Sequence, residues 1–392
     1  MNKMSNMTKR GSEETLSRGR VVPFLRSVDW VLLLATLPLV AAGLVTMNSF
    51  VSESSFFSHQ LAWFAISVCV FFAASFIDFR FLRKTAVVTT LYALAAALLV
   101  SLLLTATVIK GTKSWFDFGA ISFQPVDPVK LVLIILLAKY FSRRHIEIAD
   151  FRHILVSGLY AGILFLLVLL QPDFGSAIII FLVWLGMVLV SGISKKHLFL
   201  VFLVGALSFS ALWLYGFKPY QKDRILNFIH PLTDVRGSGY NAFQSTIAVG
   251  SGQALGKGIG QGSQSRLKFL PEYQTDFIFA AFAEEWGFVG VMLLFCFYGI
   301  ILWRLLKGAL YGASNFEILF NLGLAVFFVA HLVIHIGMNI GLLPITGTPI
   351  PFMSYGGSHL LTEFTGLGIS AGMRRYRRVA HKDAMRNEFI GP

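Results

Sequence analysis

Residues 154–170 read ILVSGLYAGILFLLVLL, an unbroken run with no acidic, basic or amide side chain. A run of this kind crosses most of a hydrocarbon core about 30 Å thick when it is helical. Its apolar residues are contiguous and do not alternate, which excludes the strands of an outer-membrane barrel. Nine further runs of this character lie near Val28–Asn48, Leu61–Ile77, Ala86–Val108, Pro128–Phe141, Gly175–Ser191, Leu198–Tyr215, Phe277–Trp303, Ile318–Met338 and Thr348–Met373. The expected fold is therefore all-α and polytopic, with about ten transmembrane helices. The fourth run is too short to span alone, so it must be partly surrounded by protein.

Composition says the same. Of 392 residues 56% are apolar and 14% charged, against about 25% charged in soluble proteins. Thirty-eight phenylalanines and a mean hydropathy of +0.70 exclude a soluble enzyme and a disordered chain alike. Cys69 and Cys296 both fall inside apolar runs, so neither a disulfide framework nor a thiolate metal site is expected. A net charge of +13 would suggest nucleic acid in a soluble protein. Here 23 of the 33 Lys and Arg fall in the segments that are cytoplasmic if the N-terminus is inside, which places both termini in the cytoplasm and implies no nucleic-acid partner.

The expected organisation is a cytoplasmic N-terminal tail (1–27), a ten-helix membrane domain (28–373) and a basic cytoplasmic tail (374–392). No small-residue cleavage site follows the first span, so it reads as a signal anchor. Two outer loops stand out, 109–127 and 216–275, the second lying between helices 7 and 8. Loops of such length within a compact bundle tend to carry function. The second holds too many apolar residues, Tyr220, Ile225 and Phe243 among them, to be a solvated linker.

Chemistry is expected in those loops and at the helix ends beside them. In FLPEYQTDFIFAAFAEEWGFVG (269–290), Asp276 lies at the start of the eighth span, where a carboxylate is favoured by the helix dipole or serves as a cap. On a helical wheel it aligns with Ala280, Ala283 and Gly287, a narrow face that would admit another helix or a lipid-linked substrate. Glu284 and Glu285 sit deeper and suggest a structural ion pair, and Glu272 belongs to the same run. In GTKSWFDFGAISFQPVDPVK (111–130), Asp127 reads as an N-cap ahead of Pro128, and Lys130 is one turn on. Trp115 beside Lys113 suits a sugar face and a diphosphate, or an interfacial anchor. The stretch GSGQALGKGIGQG (250–262) lacks the spacing of a nucleotide-binding loop. With Lys257, Arg266 and Lys268 it would cradle a diphosphate through exposed N–H groups, or form a flexible turn. His331 and His335 stand at i and i+4, a metal-capable spacing, yet no Cys or acid accompanies them locally, which favours ordinary buried packing. In PFMSYGGSHLL (351–361), Pro349 and Pro351 are expected to open span ten, and Ser354, Gly356 and Gly357 would allow a broken or closely packed helix.

Taken together, FQPVDPVKL, LLQPDFGSA, DRILNFIHP, GSGYNAFQSTIAVGSG, FLPEYQTDFIFAAFAEEWGFVG and GTPIPFMSYGGS resemble the shape, elongation, division and sporulation (SEDS) family over residues 28–378. The stretch GKGIGQGSQSRLKFLPE is more similar to the family's elongation branch, RodA, than to its division branch, FtsW. The resemblance implies a peptidoglycan glycosyltransferase that polymerises lipid II at the outer face of the bacterial cytoplasmic membrane. It also implies a transpeptidase partner, a class B penicillin-binding protein, alongside other membrane proteins of the elongation complex. The essential acid of the family's TDFIF motif falls on Asp276, and Asp173 of QPDFGSA matches as well. Two departures occur: QPVD replaces the usual QPSE, shortening the acid to Asp127, and Lys113 stands where Arg is frequent. Lipid II already carries a diphosphate leaving group, so no nucleotide is required. Loop cations or a bound divalent cation, Mg or Mn, would take the charge that develops there. The candidate substrate-binding set is thus Trp115, Lys113, Asp127, Lys130, Asp173, Lys257, Arg266, Glu272 and Ser354. A lipid II carrier and a scaffold for the partner synthase are the competing expectations.

Overall fold

The computed structural model describes residues 28–49, 54–105, 114–117, 122–142, 151–217, 219–229, 238–267, 269–270 and 272–388, without the side chains of 54–55, 219–220, 238, 265 and 376–388. The tail 1–27, Lys113, Lys268 and the last four residues lie outside that description.

Ten helices correspond to the ten apolar runs. In chain order the first seven are α1 (Trp30–Asn48), α2 (Ser54–Phe76), α3 (Thr85–Thr105), α4 (Val126–Ser142), α5 (Phe151–Leu170), α6 (Phe174–Val190) and α7 (Lys195–Ala211). Two helices then form within the long loop, α8 (Pro219–Ile229) and α9 (Ser238–Ser251), followed by the single turn α10 (Ser263–Arg266). The bundle closes with α11 (Ile278–Leu310), α12 (Asn315–Asn339) and α13 (Gly357–Glu388). Seven of these, α1, α2, α3, α5, α7, α11 and α12, are long and apolar enough to cross a membrane. This is an all-α polytopic membrane fold. In the first loop a two-stranded hairpin pairs β1 (Phe116–Asp117) with β2 (Ser122–Phe123), Phe116 facing Phe123.

Burial divides the helices into an inner and an outer set. α12 is central, packing on α4, α6 and α11, and most of its residues are buried. The short α4 has 12 of its 17 residues buried, which explains how so brief a helix is tolerated. α7 is peripheral and buries none. α13 runs closely along α2. A Cβ at Gly357 would lie 2.1 Å from the Trp63 ring and one at Gly368 2.7 Å from the Ala74 methyl, so the small residues set the distance between the two helices.

Three expectations require correction. Span ten does not open at Pro349: residues 344–350 are non-helical, a turn follows, and the helix begins at Gly357. The prolines there cannot donate, and side chains supply what a helix would have bonded internally. Second, α11 breaks at Gly287, whose φ of 65° and ψ of −167° are essentially restricted to glycine. The glycine-rich loop fills the break. Lys257 and Gly258 donate their backbone N–H to the carbonyls of Glu284 and Glu285 (both 3.0 Å), and Phe288 and Val289 donate back to Gln253 and Ala254. Gly252 approaches so closely that a Cβ would sit 2.0 Å from the Ala283 carbonyl oxygen. Third, the face bearing Ala280, Ala283 and Gly287 is therefore buried by this chain's own loop and is no open groove for a substrate.

A candidate active site around the Asp276 turn

Asp276 lies in the turn 272–277 that precedes α11. The Glu272 carbonyl accepts from the N–H groups of Thr275, Asp276 and Phe277, at 3.1, 3.0 and 3.3 Å, and Glu272 itself takes a φ of 50°. The N-cap residue of α11 is Phe277, one position after Asp276, and it makes no side-chain cap. Its carboxylate is half-buried against the segment 344–350, where a Cβ on Gly347 would lie 3.4 Å from Oδ2.

The turn is pinned from two directions. Asn339, at the end of α12, donates Nδ2–H to the Asp276 carbonyl (3.0 Å), while its Oδ1 accepts from the N–H of Ala280 (3.2 Å). Ser354 donates its hydroxyl to the Thr275 carbonyl (2.8 Å), and Tyr355 donates its N–H to Gln274 (2.8 Å). The Ser354 hydroxyl also accepts from the Ile350 N–H (2.9 Å). Engaged by backbone on both sides and buried, it positions the turn.

The non-helical segment 344–350 and the turn after it form the spine on which neighbouring side chains converge. On α12, His335 and His331 donate Nδ1–H to the carbonyls of Thr348 (2.6 Å) and Pro349 (3.1 Å); an oxygen that can only accept fixes the tautomer. The i, i+4 pair thus holds backbone. Tyr298 on α11 donates to the Pro351 carbonyl (2.5 Å), and the Phe352 N–H donates to Glu363 on α13 (2.9 Å). Gln60 from α2 bonds both the Ser354 carbonyl and the Gly356 N–H. Against the other side of the segment sits the start of α6, where Gly175 is so near that a Cβ would lie 2.6 Å from the Thr346 carbonyl oxygen. Asp173 caps α6 by accepting from Ser176 N–H (3.0 Å) and accepts from Gln124 Nε2 (3.1 Å). Asp173 and Asp276 accordingly flank one stretch of backbone.

Beneath lies a buried charged cluster. α4 begins at Val126, one residue before Asp127, so Asp127 is not an N-cap: its carboxylate points into the bundle instead. Oδ1 is 3.2 Å from Lys130 Nζ and 3.4 Å from His359 Nδ1, and Oδ2 accepts from the Ser358 hydroxyl (2.9 Å). His359 Nε2 is 2.9 Å from Glu363 Oε1. Four ionisable side chains balance when His359 carries both ring protons. Sequence reasoning misses His359 and Glu363. Their i, i+4 spacing on one helix face is the available signal.

The remaining candidates are dispersed. Trp115 is half-buried beside the hairpin, Arg266 is exposed at the end of α10, and Glu272 forms the turn described above. Lys257 is 2.7 Å from Glu284 Oε1 and donates to Ser263, so its ammonium is spent on the loop that fills the α11 break. That is the ion pair expected for Glu284. Among the described residues no three His, Cys, Asp or Glu side chains are grouped so as to hold a metal by themselves.

Comparison with known proteins bears on what this arrangement does. The family model described as "Cell cycle protein", for FtsW, RodA and SpoVE, matches residues 26–379. The chain belongs to this family. Stage V sporulation protein E of Bacillus subtilis is 34% identical to this FtsW/RodA/SpoVE member over 367 residues, 90% of this chain and 98% of that one. Peptidoglycan glycosyltransferase MrdB of Escherichia coli K12 is 34% identical over 295 residues, 74% of this chain and 79% of that one. Among solved structures, a chain of a peptidoglycan synthase complex that coordinates polymerization and crosslinking superposes with a TM-score of 0.77 at 30% identity, covering 89% of this chain and 98% of that one. The rod shape determining protein RodA of Thermus thermophilus superposes with a TM-score of 0.67 at 28% identity, over 89% and 97%.

Proposed function

We propose that this peptidoglycan glycosyltransferase polymerises lipid II at the outer face of the bacterial cytoplasmic membrane, with Asp276 as general base. The observation that carries the reading is a half-buried carboxylate on a turn held by Asn339, Ser354 and Tyr355. A base so fixed takes the proton from the acceptor sugar's 4-hydroxyl as the oxygen attacks the donor's anomeric carbon. The lipid-linked diphosphate departs. General-base catalysis contributes about 10²- to 10⁴-fold, and alignment of the two sugars supplies more. The leaving group is already activated, so the reaction requires no nucleotide, and no step is routed through a metal.

The Lys and Arg distribution supports an orientation with both termini cytoplasmic and the Asp276 end outside. Elongation rather than division is the branch favoured by residues 256–272, and a class B penicillin-binding protein is the crosslinking partner that reading entails.

The test is polymerisation of lipid II by purified wild type and Asp276→Asn. The variant is expected to fold normally and lose at least about a hundredfold in turnover. Near-normal turnover would refute the general-base role.

A further inference from the structure

At the end of the bundle opposite Asp276 lies a cavity of about 240 Å³ between α1, α11, α12 and α13. It is walled by Arg304, Lys307 and Arg374, with Asp29 and Glu317 as its acids. The charges do not cancel. Asp29, at the start of α1, makes no capping bond; it accepts from Arg304 Nε at 2.9 Å and also from Arg374. One carboxylate thus serves two guanidinium groups. Glu317 is neutralised separately by Arg83 at 2.7 Å. Lys307 is exposed, its ammonium 4.9 Å above the Trp303 ring, with no acid within ion-pair distance among the described residues. The floor is already satisfied, since Ser370 donates to Asn321 and Asn321 donates to the Glu317 carbonyl. Close to two positive charges therefore face a cavity that is otherwise complete.

We propose that this cavity is an anion site that takes a phosphate ester, presented by an anionic phospholipid headgroup of the adjoining leaflet. Guanidinium and ammonium groups gathered between helix ends match phosphate oxygens in charge and in donor geometry. The rim argues for lipid as the source. Trp303, Leu306 and Leu310 are exposed on α11 beside Lys307, and they form an apolar wall along which acyl chains would lie. A headgroup seated here would add a further tie among α1, α11 and α13, the helices that Asp29 already joins.

The experiment is native mass spectrometry of the purified full-length chain, titrated with phosphatidylglycerol or with phosphatidylcholine. Wild type, Lys307→Gln and Lys307→Glu are compared, and inorganic phosphate is added as competitor. Each unit of charge near a membrane surface is worth about a fivefold change, so phosphatidylglycerol affinity should fall about fivefold in the Gln variant and about twenty-five-fold in the Glu variant. Phosphatidylcholine binding should not change. Lys307 is exposed, and unaltered melting temperatures would confirm that fold is not the cause. Equal phosphatidylglycerol affinity in all three proteins would overturn the site. Full displacement of the lipid by millimolar phosphate would keep the anion site but overturn the lipid as its source.

Discussion

Removing Lys130 together with Asp127 should destabilise the protein scarcely more than removing Lys130 alone. The two side chains are 1% and 2% exposed, and their charged atoms are 3.2 Å apart. At an effective dielectric of about 20, charges at that 3.2 Å separation attract by roughly 5 kcal/mol. Not all of this is lost in Lys130→Met, because His359 at 3.4 Å and the Ser358 hydroxyl at 2.9 Å still serve Asp127. A cost of about 3 kcal/mol is expected, the lower end for breaking a buried pair. Asp127→Asn strands the Lys130 ammonium and should cost about as much. The double variant carries no orphaned charge at this pair, so its cost should stay near 3 to 4 kcal/mol, a coupling of about 2 to 3 kcal/mol. Equilibrium unfolding of the four proteins in mixed micelles with increasing dodecyl sulfate measures the cycle. Single losses that sum to the double within about 0.5 kcal/mol would show that the pair is not an energetic unit and would refute the reasoning.

Asn339→Leu removes two donated bonds, to Asp276 and His335, and two accepted ones, from Ala280 and Ser245; turnover should fall while lipid II binding holds, and a change confined to binding would contradict the positioning role. Ser354→Ala should lower kcat with KM nearly unchanged and cost about 1 to 3 kcal/mol of stability; a change in KM alone would return this residue to substrate contact. Gly287→Ala places a Cβ 2.2 Å from the Gly256 nitrogen in a backbone region closed to other residues, so a loss of at least about 3 kcal/mol is expected in the same unfolding assay. Wild-type stability in that variant would mean that the break relaxes.

How much of this is legible in the sequence follows from how local each signal is. The spans are legible because an apolar run of about 20 residues has few other fates. Asp276 is legible as an acid at the start of a span, and the pairing of Asp127 with Lys130 from one turn of spacing. The α11 break is not, since Gly287 in EEWGFVG resembles a tolerated helical glycine and its partners lie in a loop whose Lys257 is 27 residues before Glu284. Read alone, that loop looks like a diphosphate cradle or a flexible turn, whereas its N–H groups serve the interrupted helix. His359 and Glu363 escape a reading that opens span ten at Thr348, because such an opening hides both a non-helical segment and a helix start. The two long-loop helices, α8 and α9, agree with the excess of apolar residues in 216–275, but their ends carry no strong start or stop signal in the chain.

The polar residues of α12 have a consequence for how this chain can vary. His331, His335 and Asn339 follow one another at four-residue intervals, and each bonds a different point of the surrounding backbone: Pro349, Thr348 and Asp276. The helix works as a ruler whose graduations must meet three marks at once. Substituting one graduation leaves two in register. Inserting or deleting a single residue between Phe328 and His331 advances or retards the helix by about 100° and 1.5 Å, and all three marks are missed together. Length within α12 should therefore be far less negotiable than side-chain identity along it, and natural insertions should gather beyond its ends, in the turn at Tyr311–Ser314 or after Ile340.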